Sequence, residues 1–173
     1  GPGKSSFLLA LEKNLLGDDS VNLLNPHTLS TNGKFEVLKM VGDYKDLASL
    51  MRDKLQIDGP ETNVLDNLRE IYGRVKKQGK FLVILIDEFG KVLEHAAKKN
   101  PEQELYFMQK LAEFVNVTTR QILLITTLHQ NFSSYARKLT DVQKEEWTKV
   151  KGRFKELVFV EPVEQLLYLA SKQ

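Results

Sequence analysis

Phe81-Leu82-Val83-Ile84-Leu85-Ile86 runs straight into Asp87-Glu88. Six apolar residues without polar alternation specify a strand buried on both faces, which is the position of an interior strand in a parallel sheet. Two adjacent carboxylates at the end of such a strand have no packing role. They point to a cationic or protic group at the strand tip; the plain alternative is an ordinary strand end with solvated acids.

Outward from this stretch the same unit recurs. Ile122-Leu123-Leu124-Ile125 is a second buried-type strand ending in Thr126-Thr127, with a helical stripe at Phe132, Tyr135, Ala136 and Leu139 beyond it. Between the two strands, Asn100-Pro101 offers a cap and a first-turn proline ahead of Leu105, Met108, Leu111, Ala112 and Val115, which predicts a long helix. Upstream, Val64, Leu65, Leu68, Ile71, Tyr72 and Val75 form a helical stripe, and Leu47, Leu50, Met51 and Leu55 a shorter one. The β-prone runs 21–24 and 35–41 are separated by turn residues, and one or both should be strands. Downstream, 157–160 reads as a last short strand and Pro162 as the start of a last helix. Alternating strands and helices of this kind predict an α/β fold with a layered parallel sheet.

Gly3-Lys4-Ser5-Ser6 precedes Phe7, Leu8, Leu11 and Leu15, which share a helical face, and Gly17-Asp18-Asp19 stops that helix. Gly-Lys-Ser at a helix start is the back half of the phosphate loop G-x-x-x-x-G-K-[ST], in which backbone N–H groups hold phosphate oxygens. In that role Lys4 reaches the β- and γ-phosphates and Ser5 ligates Mg2+. Asp87 then suits the same ion through water, and Glu88 can polarise a water for in-line attack. Thr126 and Thr127 are otherwise β-branched strand residues, and His129 and Gln130 otherwise belong to an exposed loop.

Composition narrows the classes. The chain has 173 residues, 42% hydrophobic and 28% charged, enough for one globular domain without covalent staples. A formal net charge of +2 gives no global field for nucleic acid or an anionic membrane. Without cysteine there are no disulfides, thiolate metal sites or cysteine nucleophiles, so oxygen ligands are expected for any metal. No apolar run approaches the ~20 residues of a membrane span, and no signal-peptide pattern is present; a cytoplasmic protein is expected.

Gly-Lys-Ser-Ser, the strand ending in Asp87-Glu88, the strand ending in Thr126-Thr127, and Gly152-Arg153-Phe154 ahead of a strand and Pro162 occur in the order of the AAA+ superfamily, which the chain resembles over nearly its whole length. The resemblance implies a three-layer P-loop NTPase fold with ATP and Mg2+ as cofactors. Gly3, Lys4, Ser5 and Ser6 would bind phosphate, Ser5 and Asp87 the metal, and Glu88 would activate water. Thr126 or Thr127 would sense the γ-phosphate. Arg153 matches the second of two arginines that reach a neighbouring subunit's nucleotide, while Val150 stands where the first would be, a departure that weakens the trans-acting role. Asp87-Glu88-Phe89-Gly90-Lys91, Leu128-His129-Gln130-Asn131-Phe132 and Gly152-Arg153-Phe154 with Val160-Glu161-Pro162 also resemble large bacterial ATPases of phage defence, including those of BREX-type systems.

In the AAA+ order the strand before the phosphate loop is central, and no residues of this chain can form it. A gap in the sheet is therefore expected, as is a longer parent protein cut at both ends, with residues 1–173 as one partial ATPase domain. A polypeptide physically starting at Gly1 should bind nucleotide feebly, having lost half the backbone cradle. The implied partners are ATP and either further copies of the protein or other domains of the parent. Basic clusters at Arg74, Lys76, Lys77 and Lys80 and at Lys149, Lys151, Arg153 and Lys155 could touch nucleic acid, although a solvated helix face accounts for them better. Rival readings are a nucleotide-loaded signalling switch that barely hydrolyses and a small-molecule kinase.

Overall fold

The computed structural model describes residues 3–17, 34–117 and 121–155. Their order is helix α1 (Lys4–Leu15), strand β1 (Phe35–Val41), α2 (Leu47–Leu55), α3 (Glu61–Lys77), β2 (Phe81–Asp87), α4 (Phe89–Lys99), α5 (Pro101–Val115), β3 (Ile122–Thr126), a 3-10 helix (Phe132–Ala136) and α6 (Asp141–Lys151). The expected strands at 21–24 and 157–160 and the helix after Pro162 lie outside the described residues.

The sheet is α/β in character and parallel throughout, in the order β1-β2-β3. β2 is therefore interior, as its unbroken apolar run requires. Alternate residues leave on opposite faces, and each face meets a different cluster. Leu82, Ile84 and Ile86 join the larger core with Leu47 and Met51 of α2, Val64 and Leu68 of α3, and Leu105 and Leu111 of α5. Val83 and Leu85 meet Leu8 and Leu15 of α1 on the other side. Fully burying each such side chain is worth about 1.5–3 kcal/mol, so both faces of β2 are fixed by apolar demand.

The expected helices at the N-terminus, 47–55, 64–75 and 101–115 are all present. Pro101 opens α5, but the Asn100 side chain bonds Gln103 at 2.6 Å instead of capping the backbone. Two helices were not anticipated. α4 begins immediately behind Glu88 and buries Phe89, Val92, Leu93 and Ala96. α6 is started by a capping box between Thr140 and Gln143 and buries Trp147 and Val150. The stripe from Phe132 to Leu139 becomes a short 3-10 helix, because Asn131 caps a tight turn through Ser134 and the chain restarts at Thr140.

On its side away from β2, β3 has no strand partner among the described residues. Leu123 is accordingly 52% exposed on the α1 side of the sheet. The expected gap would lie between β3 and the strand expected at 157–160, which is outside the described residues. No helix among the described residues is long and apolar enough to cross a membrane.

Candidate functional site

Parallel strands deliver their C-terminal ends to one edge, which brings Asp87-Glu88 of β2 beside Thr126-Thr127 of β3. Strand alternation then sorts the side chains. Asp87 follows Val83 and Leu85 onto the α1 face, and Thr127 follows Ile125 onto the same face. Thr126 follows Ile122 and Leu124 onto the opposite face. Of the two threonines, Thr127 meets the acid.

Asp87 is 8% exposed and is the hub of the site. Thr127 donates its hydroxyl to Asp87 Oδ1 at 2.5 Å, and the Glu88 backbone N–H lies 2.9 Å from both Asp87 Oδ1 and Thr127 Oγ1. Ser5, in the first turn of α1, hydrogen-bonds the same carboxyl. Burial pushes the Asp87 pKa up, but the bonds from Thr127, Ser5 and the Glu88 N–H, with the nearby Lys39 charge, outweigh it and hold the carboxyl below its ordinary value. Lys39 is itself paired with Glu12 of α1 at 2.9 Å. Asp87 is thus a buried anion whose neighbours are hydroxyls and one cation.

Lys4 donates its ammonium to the carbonyl of Leu128, two residues past β3. The phosphate-loop candidate and the tips of both strands therefore meet, although Lys4 and Leu128 are 124 residues apart in sequence. Gly3 has a φ of 115°, α1 has no side-chain cap, and no acid of its own sits in its first turn, so the Asp87 carboxylate bonded to Ser5 is the negative group that faces the positive end of its dipole. Ser5 and Ser6 are both exposed at this end.

Glu88 has a φ of 52°, a left-handed conformation costing about 1–2 kcal/mol for a residue with a side chain. The end of β1 braces it. The Gly42 N–H donates to the Asp87 carbonyl at 2.6 Å, and a Cβ at residue 42 would overlap the Glu88 carbonyl oxygen and stand 2.8 Å from its carbon. The Glu88 carboxylate turns to Lys91, one helical turn on, at 2.5 Å. Gly42 is not marked by any sequence motif, and Lys91 enters only as the end of the Asp87–Lys91 motif, with no role of its own. A glycine directly after a β-prone run was the available signal for the first, and an i,i+3 acid–base spacing for the second.

Arg153 lies elsewhere. Its guanidinium bonds Glu113 at 3.0 Å and its carbonyl accepts from Asn116 at 2.9 Å, both at the C-terminal end of α5. That end leads into the start of β3, whereas the acids lie level with the finish of β3, so this chain does not bring Arg153 to its own Asp87. His129 is exposed, with its backbone N–H turned to Tyr135.

The residues fit a magnesium nucleotide in two respects. Ser5, Thr127 and Asp87 form an all-oxygen set, the hard donors that Mg2+ takes. Lys4, bonded to a single carbonyl, can exchange that partner for a phosphate oxygen. No protein-family model matches the chain, and no curated protein or solved structure matches it.

Proposed function

We propose that the chain is part of a P-loop ATPase of the AAA+ type that binds ATP with Mg2+ and couples hydrolysis to conformational change in a larger, oligomeric protein. The observation that carries this reading is the convergence of the Gly3-Lys4-Ser5 helix start on the Asp87 carboxyl, with Thr127 as the third partner. The side of β3 that has no strand partner among the described residues is where the family order would put the strand that precedes the phosphate loop. The narrower resemblance to phage-defence ATPases enters through sequence motifs alone.

Bound Mg2+ would supply charge neutralisation of the β- and γ-phosphates. Lys4 would leave the Leu128 carbonyl to bind phosphate, and Ser5 and Asp87 would hold the ion. Thr127 fixes the Asp87 carboxyl and the Glu88 N–H in register. Glu88, once released from Lys91, accepts the proton of the attacking water. Arg153 faces away from this site and would act only on a neighbouring subunit. The test is MgATP titration and phosphate release with the full-length protein: binding abolished by Lys4→Ala and steady phosphate release are expected, and absence of MgATP binding by the unaltered protein would sink the reading.

The Glu88–Lys91 pair at 2.5 Å favours a second reading, a nucleotide-dependent switch with little turnover, since it engages the carboxylate that hydrolysis needs. MgATP binding without steady phosphate release would select that reading.

A further inference from the structure

We propose that Tyr135 is a positioning residue whose hydroxyl clamps the 127–131 connection against the first turn of α4, holding Thr127 and the Leu128 carbonyl in place relative to Asp87 and Glu88. The inference rests on the nucleotide reading above for its catalytic consequence, though not for the clamp itself.

Tyr135, in the 3-10 helix, is 8% exposed. Its hydroxyl takes hydrogen bonds from the backbone N–H groups of Gln130 and His129 and interacts with the Gln130 side chain. On its other side is Gly90, where an added Cβ would overlap the hydroxyl and lie 3.0 Å from the ring carbon that bears it. The hydroxyl therefore occupies space that exists only because residue 90 has no side chain. Packing alone would be met by a phenyl ring, whereas this oxygen gathers two amides of one loop.

Gly90 is two residues beyond Glu88, and Phe89 N–H bonds the Thr127 carbonyl at 3.1 Å. Both ends of the connection are thus tied to the same turn, the near end through Thr127 and the far end through Tyr135. The Leu128 carbonyl that accepts Lys4 lies between these ties. When Lys4 exchanges that carbonyl for phosphate, the ties keep Thr127 beside Asp87 instead of letting the loop follow the lysine.

The test uses the full-length protein with Tyr135→Phe, Gly90→Ala and the double variant, read by amide hydrogen exchange without nucleotide and then by MgATP binding and turnover. Tyr135→Phe is expected to speed exchange of the His129 and Gln130 amides about tenfold, the equivalent of one net hydrogen bond. It should keep the MgATP Kd within about twofold and lower kcat about tenfold, as small misplacements of reacting groups do. Gly90→Ala should do the same, and the double variant should be no worse than Gly90→Ala. Unchanged exchange at 129 and 130 in Tyr135→Phe overturns the clamp, and faster exchange with unaltered kcat overturns the positioning role. If the unaltered protein fails to bind MgATP the nucleotide reading falls, while the exchange measurement still upholds or overturns the clamp.

Discussion

Thr127 Oγ1 donates to Asp87 Oδ1 at 2.5 Å, across two strands and 40 residues of sequence. The same hydroxyl accepts the Glu88 N–H at 2.9 Å, so one side chain both helps to hold the first acid ionised and ties down the backbone of the second.

Thr127→Val keeps the branched shape and removes the hydroxyl. Loss of a bond to a buried charged group should destabilise the protein by about 1–3 kcal/mol, measured by urea unfolding at pH 7. Because the Asp87 pKa is depressed in the fold, its contribution is present above the unfolded value and lost as pH falls through the folded one. The variant should therefore show a weaker loss of stability on acidification than the unaltered protein.

Glu88→Gln should leave MgATP affinity close to that of the unaltered protein and reduce steady phosphate release by about 10²–10⁴-fold, the range of a lost general base. Equal turnover in the variant would remove Glu88 from the chemistry.

Gly42→Ala places a methyl group against the Glu88 carbonyl, a backbone atom that cannot rotate away. Overpacking of this kind costs about 1–3 kcal/mol. A lower Tm together with impaired phosphate release is expected; an unchanged Tm would show that β1 does not brace the Asp87-Glu88 corner.

Glu104 works in the opposite sense to Asp87. It is buried on α5, accepts the Leu47 N–H at the start of α2 at 3.2 Å, and has its pKa raised to about 7, first by burial and further by Asp46 and Glu61. A raised carboxyl pKa means that stability is fully present below the unfolded value of about 4.5 and is lost as pH rises through about 7. Glu104→Gln should flatten that slope and stabilise the protein at pH 8 by on the order of 1–3 kcal/mol, allowing for solvent reaching the cavity that Glu104 lines with Asp46, Glu61, His95 and Gln103. Denaturant midpoints between pH 5 and 8 check it, and an unaltered slope would refute it.

Periodicity was readable wherever it was long. The β2 run announced an interior parallel strand, and the stripes of α3 and α5 announced helices, because burial of a regular element imprints its own repeat on the residues. α4 was missed although Phe89, Val92, Leu93 and Ala96 carry the spacing. It starts directly from a strand through a left-handed Glu88, with no spacer and no side-chain cap to mark a beginning. The 3-10 helix departed from expectation for a related reason: Phe132, Tyr135, Ala136 and Leu139 fit a helical face, but competing caps at Asn131 and Thr140 divide the segment.

Local chemistry along the chain was enough to establish the parallel α/β character and to nominate Lys4, Ser5, Asp87 and Glu88, since apolar runs, helix starts and paired acids are properties of neighbouring residues. The choice of Thr127 over Thr126, the seat of Lys4 on Leu128, the bracing of Glu88 by Gly42 and the remoteness of Arg153 emerged only once the strands were paired. Each depends on register and on which face of the sheet a side chain leaves, and those follow from packing between segments far apart in the chain.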